Sequence, residues 1–235
     1  YVFARTKDLR LAKVKEDFRA VTTEQSEAFQ EELKELRTQF YSDGPIAGKV
    51  SLEEGVLLMV DYAETLSKCV AKKDELVNAE DLFGMEMTSY PVLVEVQSEM
   101  ARMKIIYDLY SSFEKFREDM SLTAWGELDV ELLKEGVDKA EKEIRKLPKD
   151  LKELSKYKAY ELVVVNFKES LPVIVNLKND AVKEAHWQQL EELTGVSIGD
   201  VKTITLGKIF SMELSQYGED VDEIVVCAII FFYKN

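Results

Sequence analysis

Proline and glycine are scarce in this 235-residue chain: four prolines and ten glycines leave few places where a helix has to stop. That scarcity weighs against an all-β fold, which needs turn residues at short intervals, and favours long helices. Cysteine occurs twice and histidine once. Cys69 and Cys227 lie far apart, with no CxxC or CxxH spacing of the kind that holds zinc. Both sit in apolar helical patterns and are expected to be buried free thiols in a reducing compartment. Long hydrophobic runs are missing as well. The most apolar stretch, CAIIFFY from Cys227 to Tyr233, is too short to span a bilayer. The start, YVFARTKDLRLAKVK, has neither the hydrophobic run nor the cleavage site of a secretory leader, and no initiator methionine precedes it. Both ends are expected to be cuts in a longer polypeptide.

Catalytic patterns are absent in the same way: there is no GxSxG, HExxH, EF-hand loop or dinucleotide fingerprint. Residues 44–51 (GPIAGKVS) resemble a phosphate loop only loosely. Three residues instead of four separate the glycines, a valine intervenes between Lys49 and Ser51, and a helix rather than a buried strand precedes them. ATP binding there is rejected. The lone His186 lies on a mostly apolar helical face beside Trp187, where a packed, hydrogen-bonded histidine is expected rather than a general base. No catalytic, cofactor or metal residue is assigned. Positive charge is also short, with 31 basic against 45 acidic residues and a formal net charge of −14. Such a surface repels nucleic-acid phosphates and acidic filaments.

What is present is helical periodicity. Apolar residues make up 46% of the chain, enough for a core. A first long helix is expected from about Leu9 to Tyr41. Leu11, Val14, Phe18 and Val21 form one run, and Phe29, Leu33, Leu36 and Phe40 a second, with a slip at Gln25 and Ser26. Such a helix belongs to a bundle or, alternatively, to a self-associating coiled coil. Ser51 should cap a second helix reaching about Phe83, with Val56, Met59, Val60, Ala63, Leu66, Val70 and Leu76 inside. Ser89 and Pro91 should open a third, running to about Met120 with an aromatic and aliphatic stripe from Leu93 to Phe116. Helices follow over Leu128–Leu147 and through Val163–Val165, and Thr205 is a candidate cap for a short helix near Leu206. Pro172 is expected to open a helix, Asp180 to cap the next, and Gly195 to end it. Within that last helix Val182, His186, Leu190 and Leu193 share a face. Trp125, beside a glycine, should plug a gap between helices.

Several of these segments carry a resemblance. Residues 171–195 read LPVIVNLKNDAVKEAHWQQLEELTG, residues 75–83 ELVNAEDLF followed by TSYP at 88–91, and residues 125–130 WGELDV. With Thr205 to Gly207 and Tyr217, Val221 and Ile224, they resemble the dynein heavy chain where tail meets linker. Pro91, Trp125, Pro172, His186, Trp187, Gly195 and Gly207 are the matching structural positions. Ala185 stands where that family usually carries arginine, and IIFFYKN at the end departs from its charged helix. The SYP and WGEL motifs lean toward an axonemal form.

The resemblance implies an all-α fold of elongated antiparallel bundles connected in series, with residues 1–120 closing the tail and 121–235 opening the linker. It implies a mechanical, non-catalytic segment of an ATP-driven, minus-end-directed microtubule motor in the ciliary axoneme. Its partners would be the AAA+ ring and remaining tail of the same heavy chain, with other heavy, intermediate or light chains. No nucleic acid, membrane or direct microtubule contact is expected, and no cofactor. Breaks near Gly44, Gly84, Gly126 and Gly195 are expected to act as compliant joints. The alternative is a stand-alone spectrin-like or coiled-coil scaffold or adaptor in the cytoplasm, which would show an internal repeat; none is found. A helical enzyme assembled from distant residues is a further alternative, disfavoured by the single histidine and the failed phosphate loop.

Overall fold

The computed structural model describes residues 2–201, 203–212 and 214–234. Among them the chain is all-α. Its helices in order are α1 (Val2–Ser42), α2 (Leu52–Leu82), α3 (Pro91–Ser121), α4 (Val130–Arg145), α5 (Lys149–Lys152), α6 (Ser155–Leu177), α7 (Glu184–Thr194), α8 (Leu206–Phe210) and α9 (Gly218–Lys234). Two 3-10 turns, Trp125–Glu127 and Leu214–Tyr217, interrupt the loops. The chain forms two compact units, Tyr1–Tyr107 and Asp108–Asn235, and the division falls inside α3.

In the first unit three long helices share a core in which Phe29, Leu33 and Phe40 of α1 meet Leu66 and Leu76 of α2 and Leu93, Val96 and Met100 of α3. Burial of each such side chain contributes about 1.5–3 kcal/mol. The α2 seam runs through Leu52, Gly55, Leu66, Leu76 and Glu80, with Met59, Tyr62 and Cys69 packed at its edge. This corrects the expected set: Val60 is 67% exposed and Ala63 also faces out. Neighbouring phases of a helix differ by little more than a hundred degrees, so an apolar residue one place off the seam mimics a core position. Ser51 caps α2 as expected, its Oγ accepting from the Glu54 amide at 3.1 Å. Lys49 pairs with Asp43.

A larger correction concerns α1. Leu11, Val14, Phe18 and Val21 are 47–56% exposed. The buried line continues instead through Thr22 and Ser26, which are 4% and 3% exposed. The slip expected at Ser26 is therefore a polar stretch of the seam itself. Nor does Ser89 cap α3. Pro91 is its first residue, as expected, and Tyr90 immediately precedes it. The thiols differ from expectation too: Cys69 is half-buried and Cys227 exposed, because Val221, Val225 and Ala228 take the inward face of α9.

In the second unit α4 and α6 pack together. Leu133, Val137 and Ile144 are buried on α4, and Tyr160, Val164, Phe167, Ile174 and Leu177 on α6. Lys168 ties the pair by reaching Asp138 at 3.3 Å and Glu141 at 2.7 Å. Asp129 caps α4 through the amides of Glu131 and Leu132, so this helix starts later than Leu128 and ends at Arg145. Pro172 lies inside α6 instead of opening a helix. An interior proline costs about 3 kcal/mol, but the buried line Phe167, Leu171, Ile174, Leu177 stays in phase across it and keeps the helix whole. Asp180 does not cap α7, because Asn179 Oδ1 takes the Ala181 amide at 2.9 Å and holds a turn there. Of the terminal IIFFYKN, Asn235 lies outside the described residues, as do the side chains of Phe231, Tyr233 and Lys234.

Candidate functional site

The segments on either side of α4 to α6 meet in the second unit at the two tryptophans. Trp125 enters from the 3-10 turn after α3 and Trp187 from the first turn of α7. Both are about nineteen-twentieths buried. Their rings meet edge to face, with centroids 5.4 Å apart and planes at 82°, an arrangement contributing about 0.5–1.5 kcal/mol beyond the area buried. Lys178, just past the end of α6, supplies the third component. Its Nζ donates to the Trp125 carbonyl oxygen and lies 5.3 Å from the Trp125 ring centroid. Burial pushes this ammonium below its ordinary pKa, while the carbonyl and the indole face oppose that shift by favouring the charge.

The backbone completes the joint. Trp125 N donates to Ile204 O at 2.6 Å and Leu206 N to Thr123 O at 3.0 Å, forming an antiparallel bridge between Ala124 and Thr205. Thr205 caps α8 by accepting the Lys208 amide. Gly207 then passes close to the end of α3. A Cβ there would lie 3.0 Å from Ser121 O and 3.2 Å from Ser121 Cβ, so a side chain would wedge the bridge open.

His186 is half-buried and serves α7 itself. Its Nδ1 accepts the Lys183 amide at 2.9 Å, which caps the helix and leaves Nε2 carrying the ring proton. Val182, expected to share a face with His186, Leu190 and Leu193, precedes this helix, whose buried residues are Trp187 and Leu190. Gly195 ends α7 at φ 68°, a left-handed conformation suited to glycine, and donates to Glu191 O at 2.8 Å. Glu191 accepts the Ile198 amide through Oε1 at 2.8 Å. The structure thus brings Trp125, Trp187 and Gly207 into one joint, with His186 and Gly195 at the two ends of α7. Pro172 sits apart within α6, and Pro91 belongs to the other unit.

Pro91 has its own anchor there. Glu80, on the last turn of α2, is 1% exposed. Its Oε1 accepts from Ser26 Oγ and Thr88 Oγ1, each at 2.7 Å, and its Oε2 accepts from Thr88 N at 2.8 Å. Burial alone would raise this carboxyl, but the Thr88 amide and the two hydroxyls outweigh it and hold the pKa below the ordinary value. Arg19 closes the same loop, donating through Nε and Nη2 to Phe83 O at 3.0 and 2.6 Å. Sequence reasoning missed both Glu80 and Lys178. The available signal for Glu80 was a carboxylate on the apolar period of α2, in line with Leu66 and Leu76; nothing local marked Lys178.

A sequence profile described as dynein heavy chain, N-terminal region 2, matches residues 93–229, which include the whole tryptophan joint. The chain belongs to the dynein heavy chain family. Human dynein axonemal heavy chain 10 is 35% identical over 219 residues, covering 93% of this chain. The dynein-1-alpha heavy chain of the flagellar inner arm I1 complex of Chlamydomonas reinhardtii is 34% identical over 227 residues, 96% of this chain. The same alga's flagellar outer-arm dynein beta chain is 27% identical over 213 residues, 85% of this chain. In each case the matched region is 5% of the relative's length, so this dynein segment corresponds to a small part of those heavy chains.

Proposed function

We propose that the chain is the tail-to-linker segment of an axonemal dynein heavy chain, a non-catalytic mechanical element of an ATP-driven, minus-end-directed microtubule motor. Residues 1–120 close the tail and residues 121–235 open the linker. The segment works with the AAA+ ring and the remaining tail of its own heavy chain, in an arm built with other heavy, intermediate or light chains of the ciliary axoneme. The family match over 93–229 supports this reading. The single structural observation that carries it is the joint at Trp125, Trp187 and Lys178, which fastens the end of α3 to the start of α7 and to the strand-like segment before α8. Such a clamp transmits displacement, because the joined segments cannot move separately without breaking buried aromatic and polar contacts. The glycine-marked breaks near Gly126 and Gly195 then act as joints held in register, and those near Gly44 and Gly84 act as joints between the helices of the first unit.

The test is motility set against ATP turnover in the full heavy chain. Trp125→Ala and Lys178→Met should slow microtubule gliding while leaving ATP hydrolysis in place. Unchanged gliding in both, with the joint shown to be loosened, overturns the mechanical reading. The mass of the native polypeptide separates the scaffold alternative: a chain stopping near 27 kDa would leave a dynein-like helical adaptor.

A further inference from the structure

The exposed apolar line on the first half of α1 has no role in the core of the first unit. Leu11, Val14, Phe18 and Val21 are 56%, 47%, 52% and 49% exposed. They follow the three-four spacing of a seam; Leu11 and Phe18 lie in phase with the buried Thr22 and Phe29, while Val14 and Val21 sit toward one flank of that line. Alpha-2 ends beside them. Phe83 stacks on Phe18 with centroids 5.4 Å apart and planes at 10°, and N-terminal to that contact α1 runs on with every residue from Arg10 to Asp17 exposed. The core interface of α1 therefore continues into a seam of about 15 Å, given a rise of about 1.5 Å per residue over its ten steps.

Its charge differs from that of the rest of the chain. Between residues 10 and 21 stand Arg10, Lys13, Lys15 and Arg19 against Glu16 and Asp17, in a protein of net charge −14. Lys15 and Arg19 border the apolar line on one flank, and Arg10, with Asp17 beside it, borders the other. We propose that this line is a docking seam for an amphipathic helix with acidic borders. The narrow seam and its continuity with a helix–helix interface favour a helical partner over a lipid surface, which a wider apolar face would suit. Opposite charges at the borders would set the choice of partner and its orientation. The inference rests on α1 alone and does not depend on the motor reading.

The experiment uses the 235-residue chain and a labelled three-heptad peptide with leucine at its seam positions and glutamate at its borders, read by fluorescence anisotropy. A second peptide carries lysine at the borders. The acid-bordered peptide should bind about tenfold more tightly or better, in keeping with charge-selected pairing. Leu11→Asp with Val14→Asp should abolish that binding while helicity and tryptophan fluorescence are retained, since neither residue belongs to the core. Arg10→Glu with Lys15→Glu should reverse the preference between the peptides. Equal binding of the two peptides, binding of neither, concentration-dependent dimerisation through the same residues, or capture by phosphatidylserine vesicles instead of peptide would each overturn the proposal.

Discussion

The two units solve the same problem, holding helices in register, by different means. The first uses length: α1 has 41 residues and α2 has 31, and the start of α3 packs along them, so repeated seams carry the packing. One buried carboxylate, Glu80, then fixes the turn between α2 and α3. The second unit has shorter helices, from 23 residues in α6 down to 4 in α5. It depends on contacts between residues far apart in sequence, foremost Trp125 with Trp187 and Lys178. A periodic interface spreads its energy over many equivalent side chains, whereas a joint concentrates it in a few. Damage should therefore be graded in the first unit and abrupt in the second.

The strongest way to break that contrast is Trp125→Ala. Loss of a buried tryptophan costs about 3–5 kcal/mol, and here it also removes the edge-to-face partner of Trp187. Denaturant unfolding should show the full loss, with the near-ultraviolet dichroism of the remaining tryptophan collapsing. A loss no larger than that of Leu76→Ala measured in parallel would remove the distinction between joint and seam.

Next in size is Glu80→Ala, expected to cost about 3 kcal/mol because Ser26 and Thr88 are left with unpaired donors. Its pH dependence sharpens the point. The folded pKa of Glu80 lies below the unfolded value of about 4.5, so the folded state favours the ionised form. The resulting stabilisation is present in full above the unfolded pKa and is lost as pH falls through the folded one. Comparing acid unfolding of the wild type with Glu80→Gln should show a shallower acid dependence in the variant. Parallel curves would mean that the carboxylate charge is immaterial.

The smallest expected effect is that of Gly207→Ala, about 1–3 kcal/mol from forcing a methyl against the Ser121 backbone. Amide exchange at Trp125 and Leu206, whose N–H groups form the bridge, should accelerate before exchange at the α4 and α6 core. Uniform acceleration across the unit would show that the bridge is no separate element.

Much of this was legible beforehand, and the reasons differ from residue to residue. The stripe from Leu93 to Phe116 is readable because α3 keeps one phase along it, with only Phe116 left half-buried. Ser51, Thr205 and Gly195 were readable because their terminating chemistry is local. Ser26 looks like a slip along the chain because its partner, Glu80, comes from another helix. Pro172 looks like a helix start because local propensity favours it, and only the packing of α6 on its neighbours overrides that preference.

The amino-acid pattern by itself determined the all-α class, the long helices, most of their ends and the family, since all of these follow from short-range periodicity, capping and motifs. Tertiary structure alone decided that the two tryptophans meet, that Lys178 clamps them, that Glu80 is inside, and that the Leu11–Val21 line lies open. Each of those depends on which distant segment lies opposite, and spacing along one chain carries no information about that.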